Sequence, residues 1–177
     1  MTAAKKLMNT KLLVLMALFI ALSFAGSFVR IFGTIAFDSL PGFLAALMLG
    51  PTIGAVIGFL GHLFTAANSG FPLSFPLHAA IAAAMAVTMF GYGAVYIKLI
   101  NKLSESATML ITGITGIILN APVSLAFSMG VLYLMAGREA ALGLLIMLPA
   151  LVLASSVNVI ISIILYKSLG KIWNKTL

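Results

Sequence analysis

The chain has 177 residues, 63% of them hydrophobic and 7% charged, with a mean hydropathy of +1.24. Soluble domains are about a quarter charged, so too few polar groups are present to cover a water-facing surface. A soluble globular domain, a disordered chain and a nucleic-acid-binding protein are excluded, in spite of a formal net charge of +7, and the absence of cysteine removes disulfides and thiolate metal sites. The composition leaves an all-α integral membrane protein, small enough for a single bundle.

A membrane-crossing helix needs about 20 mostly apolar residues. Leu12 to Val29 is free of charge and ends at Arg30, giving a first span over residues 12–29. No small-residue cleavage site precedes that boundary, so the run reads as a span and not as a leader. Ser39 to Ile97 holds no Lys, Arg, Asp or Glu and is too long for one helix. Within it, Asn68-Ser69-Gly70-Phe71-Pro72 and Pro76 predict a loop, because Gly and Pro break helices and Asn and Ser favour turns. A span over residues 77–97 follows, closed by Lys98 and Lys102. Two further uncharged runs predict spans over residues 107–131 and 141–166, separated by Arg138 and Glu139.

The stretch from Leu40 to Ala66 has two readings, one kinked helix or two short helices turning at Gly50-Pro51. The excess of Lys and Arg on the cytoplasmic side of membrane proteins arbitrates. With the N-terminus inside, a kinked helix gives five spans and puts Arg30, Lys98, Lys102, Lys167, Lys171 and Lys175 outside. A hairpin gives six spans and leaves eight of the ten basic residues inside, with Arg30 and Arg138 outside. The expectation is therefore six transmembrane helices, with short second and third helices over residues 40–50 and 52–66. Both termini are then cytoplasmic, in a multi-pass protein of the cell membrane.

Polar groups inside a bilayer are costly and mark functional positions. In the six-span arrangement Arg30, Asp38, His62, Asn68, Ser69 and His78 fall in the outer half, and Asn120 lies past mid-membrane toward the outside. Asn158 sits deeper and reads as glue between helices. This asymmetry predicts a pocket open to the exterior, lined by Arg30, Asp38, His62, Asn68, Ser69, Phe71, His78 and Asn120, and closed by the loop from Arg30 to Pro41. Bland readings stand beside it: Arg30 with Asp38 as a boundary ion pair, the histidines bonded to backbone, Asn68 and Ser69 as turn formers. Asn120 precedes Pro122 by two residues and could bond to the backbone groups that a proline leaves unpaired. In the first helix Ala17, Ala21 and Ala25 recur every four residues, which stacks small side chains on one face and permits close approach of another helix, inside the bundle or outside it.

Together these features resemble a substrate-binding component of an energy-coupling factor (ECF) vitamin transporter. The alanine face and the stretch from Asp38 through Gly50-Pro51 to Gly54 and Gly58 carry the resemblance. It implies a subunit that takes a vitamin or precursor from outside. It also implies that Ala17, Ala21 and Ala25 dock on a transmembrane coupling (T) subunit, and that two separate ATPase subunits drive release. The segment from Gly61 to Leu73 with Pro76-Leu77-His78 is similar to components assigned to alpha-ribazole, a cobalamin precursor. Riboflavin or pantothenate would suit the same residue types. No cofactor, metal ion or catalytic residue is expected, and no nucleotide-binding Gly-rich loop is present. An intramembrane enzyme built on Asp38, His62 and His78 is the competing class, weakened by the lack of a carboxylate pair or an activated nucleophile.

Overall fold

The structure is a computed structural model that describes residues 10–31 and 35–173, with side chains for residues 10–29 and 37–169. The elements are α1 (Thr10–Gly26), the two-residue strands β1 (Arg30–Ile31) and β2 (Ile35–Ala36), α2 (Leu40–Met48), α3 (Pro51–Asn68), α4 (Phe75–Leu99) and α5 (Glu105–Ile118). A π turn over Leu119–Val123, α6 (Ser124–Gly143), a 3₁₀ turn over Leu144–Met147 and α7 (Leu148–Trp173) complete it. The two strands pair antiparallel, Arg30 opposite Ala36 and Ile31 opposite Ile35, and β2 lies against α7. Every other described residue lies in a helix or a short connection.

Gly50 decides between the two readings of the Leu40–Ala66 stretch. Its φ of 99° lies where side chains are disfavoured, and Pro51 behind it opens a helix, having no N–H to leave unpaired. The chain doubles back there, so that Gly54 of α3 lies directly against the Ala46 backbone of α2. α2 is only nine residues long, about 14 Å at ~1.5 Å per residue. That is half the ~30 Å of a bilayer's hydrocarbon core, and neighbours enclose it: every residue from Pro41 to Leu47 is buried.

Sequence and structure differ at the Arg138–Glu139 pair. The spacing predicts a loop between residues 131 and 141, yet the helical backbone runs on and leaves helical geometry at Gly137, with φ 84° and ψ −177°. A single glycine without a Cβ takes that conformation freely, so one residue does the work of a loop. Beyond it the chain returns, and α7 packs along α5 and α2.

The main core clusters Phe43, Leu47, Met85, Met89, Tyr92, Tyr96, Met109 and Val159. Phe43 and Tyr92 meet edge to face with ring centroids 4.9 Å apart. The surface inverts the soluble pattern. Leu18, Leu22, Val87, Phe90, Leu110, Leu134 and Ile146 are exposed, while Ser23, Ser27, Thr108, Thr112, Ser155 and Asn158 are buried. Such a molecule turns its apolar side chains to lipid and its polar ones inward.

Candidate functional site

A cavity of about 90 Å³ opens among α3, α4, the π turn, α6 and α7. One water needs about 10–15 Å³ of such space, so several waters or a compact ligand fit. Its polar lining comes from Asp38, Ser39, His62, His78, Asn120, Ser124, Ser128, Ser155 and Asn158, over an apolar floor that includes Met85, Met147 and Leu151.

Local structure explains each placement. Asp38 and Ser39 end the connection into α2, and the hairpin at Gly50 brings His62 of α3 back beside them. His62 Nδ1 lies 3.6 Å from Asp38 Oδ2. On its other side His62 Nε2 is 3.3 Å from Nδ1 of His78, in the first turn of α4. The three residues form a line with His62 in the middle, not a ring around a point. Consistently, no three His, Asp or Glu side chains among the described residues stand in a metal-holding group.

Two amides close the far wall. Asn120 Nδ2 donates to Ser155 Oγ at 2.8 Å, and Asn158 Nδ2 donates to Ser39 Oγ at 2.8 Å. Each bond leaves the amide oxygen over: Asn120 Oδ1, Asn158 Oδ1 and His78 Nε2 are buried without a hydrogen-bond partner. A buried polar atom left unpaired costs about 1–3 kcal/mol. All three atoms belong to residues that line this one cavity.

Of the residues singled out from the sequence, Asp38, His62, His78 and Asn120 come together around the cavity. Asn120 bonds across to α7 and not to the backbone freed by Pro122. Asn68 and Ser69 turn elsewhere: Asn68 Nδ2 donates to Ser27 Oγ at 3.1 Å, and Ser69 Oγ donates back to the Thr65 carbonyl at 2.9 Å. Phe71 does not line the cavity; its ring stands edge-on to His78, which does, at 5.9 Å and to Phe75 at 5.2 Å. The Arg30 side chain lies outside the described residues. Ser39, Ser124, Ser128 and Ser155 were not singled out from the sequence, and a signal for most of them exists. Asn120-Ser124-Ser128 and Ser155-Asn158-Ser162 recur at three- and four-residue spacing, which lines one face of each helix.

On α1 the inward face is Phe19 and Ser23, packed toward α2 and α3. Ala17, Ala21 and Ala25 are exposed, so they do not pack inside the bundle.

Comparison with known families decides what this arrangement belongs to. The family described as ECF transporter, substrate-specific component, matches residues 11–170. The chain belongs to that family. No curated protein and no solved structure matches it. As an ECF substrate-specific component it is a membrane transport subunit and not an enzyme. Membership implies a small-molecule substrate and, as partners in general, an ECF coupling subunit and ATPases.

Proposed function

We propose that this subunit captures a vitamin or vitamin precursor from the cell exterior in the cavity between His62, His78, Asn120 and Asn158. The observation that carries the reading is the set of three unpartnered buried atoms on residues that line that cavity. In this reading six segments cross the membrane: α1, α2, α3, α4, the helical run from α5 to Gly137, and the run from there through α7. The eight-to-two distribution of basic residues then sets both termini in the cytoplasm and turns the cavity outward. The strand pair between α1 and α2, lying against α7, closes over the ligand together with the Phe71 loop.

The best candidate ligand is alpha-ribazole. Its flat aromatic base suits the Phe71–Phe75 edge, and its ribose hydroxyls suit the histidine and amide groups below. The exposed Ala17-Ala21-Ala25 face docks on the coupling subunit, because small side chains let a second helix approach closely. Native mass spectrometry of the purified protein tests the reading. A bound vitamin or precursor, lost in His78→Ala and Asn120→Ala, is the expected result. A protein that carries no small molecule and takes up none from a vitamin panel overturns it.

A further inference from the structure

Asp38 and His62 meet beside a helix that does not itself line the cavity, α1. The backbone at Asp38 passes between two glycines. A methyl on Gly26, the last residue of α1, would run into the Phe37 carbonyl and stand 3.5 Å from the Asp38 Cα. A methyl on Gly61 of α3 would stand 2.8 Å from both Cβ and Oγ of Ser23 on α1, and 4.0 Å from the Asp38 carbonyl oxygen. A Cβ does not come within 3.0 Å of such neighbours, so α1 lies as close to α3 and to the Asp38 backbone as bare glycines permit. Gly61 directly precedes His62 in the chain. Asn68 Nδ2 donates to Ser27 Oγ at 3.1 Å and pins the end of α3 to the end of α1. Ser23 and Ser27 are buried on this side of α1, away from the exposed alanines.

We infer that Gly26 and Gly61 are positioning residues for the substrate, because they let α1 seat Asp38 against His62. This rests on the proposed substrate pocket. Neither glycine lines the cavity, so each acts through the Asp38–His62 pair. At 3.6 Å that pair is already longer than an ordinary hydrogen bond, so a small displacement changes it. A methyl at Gly61 drives α3 from α1, and a methyl at Gly26 drives the Asp38 backbone from α1. Either moves one member of the pair relative to the other.

The ring signals of His62 read that geometry directly. The chain has two histidines, so NMR of isotope-labelled histidine gives two imidazoles, and His78→Gln assigns them. In lipid nanodiscs without ligand, Gly61→Ala and Gly26→Ala are expected to shift the His62 signals. Adding Ser23→Gly to Gly61→Ala removes both atoms that the new methyl meets, and is expected to return them. Gly116→Ala is the control. Its methyl would meet the Tyr92 ring at 2.7 Å in the closed core, and it should lower stability without moving the His62 signals. Calorimetry with alpha-ribazole, riboflavin and pantothenate follows the same variants. The compound that the wild type binds is expected to bind about tenfold more weakly in Gly61→Ala and to recover in the double variant. His62 signals that stay in place in both glycine variants, or that move as far in Gly116→Ala, overturn the inference and leave the substrate pocket standing. Affinity unchanged in Gly61→Ala, or lost and not restored by Ser23→Gly, does the same. A wild type that binds none of the three and releases no small molecule on denaturation removes the pocket itself and overturns this inference with it.

Discussion

The two ends of the bundle use polar side chains in opposite ways. At the end with the α3–α4 turn, His78, Asn120 and Asn158 each keep one buried atom unpaired around a cavity. At the end with the α4–α5 turn, Tyr92 Oη and Ser162 Oγ are 3.4 Å apart, Tyr96 Oη and Tyr166 Oη are 2.6 Å apart, and methionine and phenylalanine fill the space between them. Thr112 Oγ1 is the exception there, buried without a partner. A bundle can close its polar groups on one another, and this one does so at one end. In the proposed reading the open end is a site kept incomplete until a ligand arrives.

Six substitutions sharpen or break that contrast. Phe43→Ala removes a fully buried ring from the closed core and is expected to cost about 3–5 kcal/mol, seen as a large drop in melting temperature in detergent. A drop no larger than that of a cavity-wall variant would mean the core is not the rigid part. His78→Ala and Asn120→Ala should weaken ligand binding about tenfold, ~1.4 kcal/mol, by calorimetry. Their stability loss without ligand should stay below that of Phe43→Ala, because each removes an unpaired atom and a single hydrogen bond, to His62 or to Ser155, and not a fully buried ring. Tyr96→Phe deletes one bond at the closed end and should lower stability by about 1 kcal/mol, with ligand affinity unchanged. Ala17→Leu and Ala21→Leu alter an exposed face and should change stability by less than about 0.5 kcal/mol. Uptake measured in cells should nevertheless be abolished while binding persists. Loss of binding in these variants would tie α1 to the pocket instead of to a partner.

Helix breaks with a steric cause are legible in the sequence: the Gly50-Pro51 turn and the Asn68–Pro72 loop interrupt the backbone where the residue types require it, and α4 ends one residue past Lys98. Near Arg138 and Glu139 the charge pair suggests a solvated loop, whereas the backbone leaves helical geometry at Gly137 alone. In the site, the residues with titratable or amide groups stood out because such groups are expensive in a bilayer. Asp38, His62, His78 and Asn120 meet at the cavity as their spacing along the chain allowed. The serines did not stand out, because a hydroxyl in a helix can bond back to its own turn, as Ser128 does to the Ser124 carbonyl at 2.8 Å. Asn68 looked like its neighbours by residue type; only the packing of α1 against α3 reveals that Ser27 takes up its amide.

The π turn at Leu119–Val123 works as a phase correction. Thr108, Thr112, Gly116, Asn120, Ser124 and Ser128 recur at every fourth residue, and all six are buried. In an ideal helix of ~3.6 residues per turn such a stripe creeps forward by about 40° at each step, roughly 200° over its length. Its last serine would then face the opposite side from its first threonine. The wide turn takes in one extra residue and winds back about 100° of that creep. The small residues that seat α5 in the bundle, with Gly116 against Tyr92 and Phe43, and the polar ones that line the cavity thus stay on one side of a single rod. Closing that turn to α geometry without removing a residue would rotate Ser124 and Ser128 about 100° out of register with Thr108 and Thr112, whereas deleting one residue along with it would keep the register.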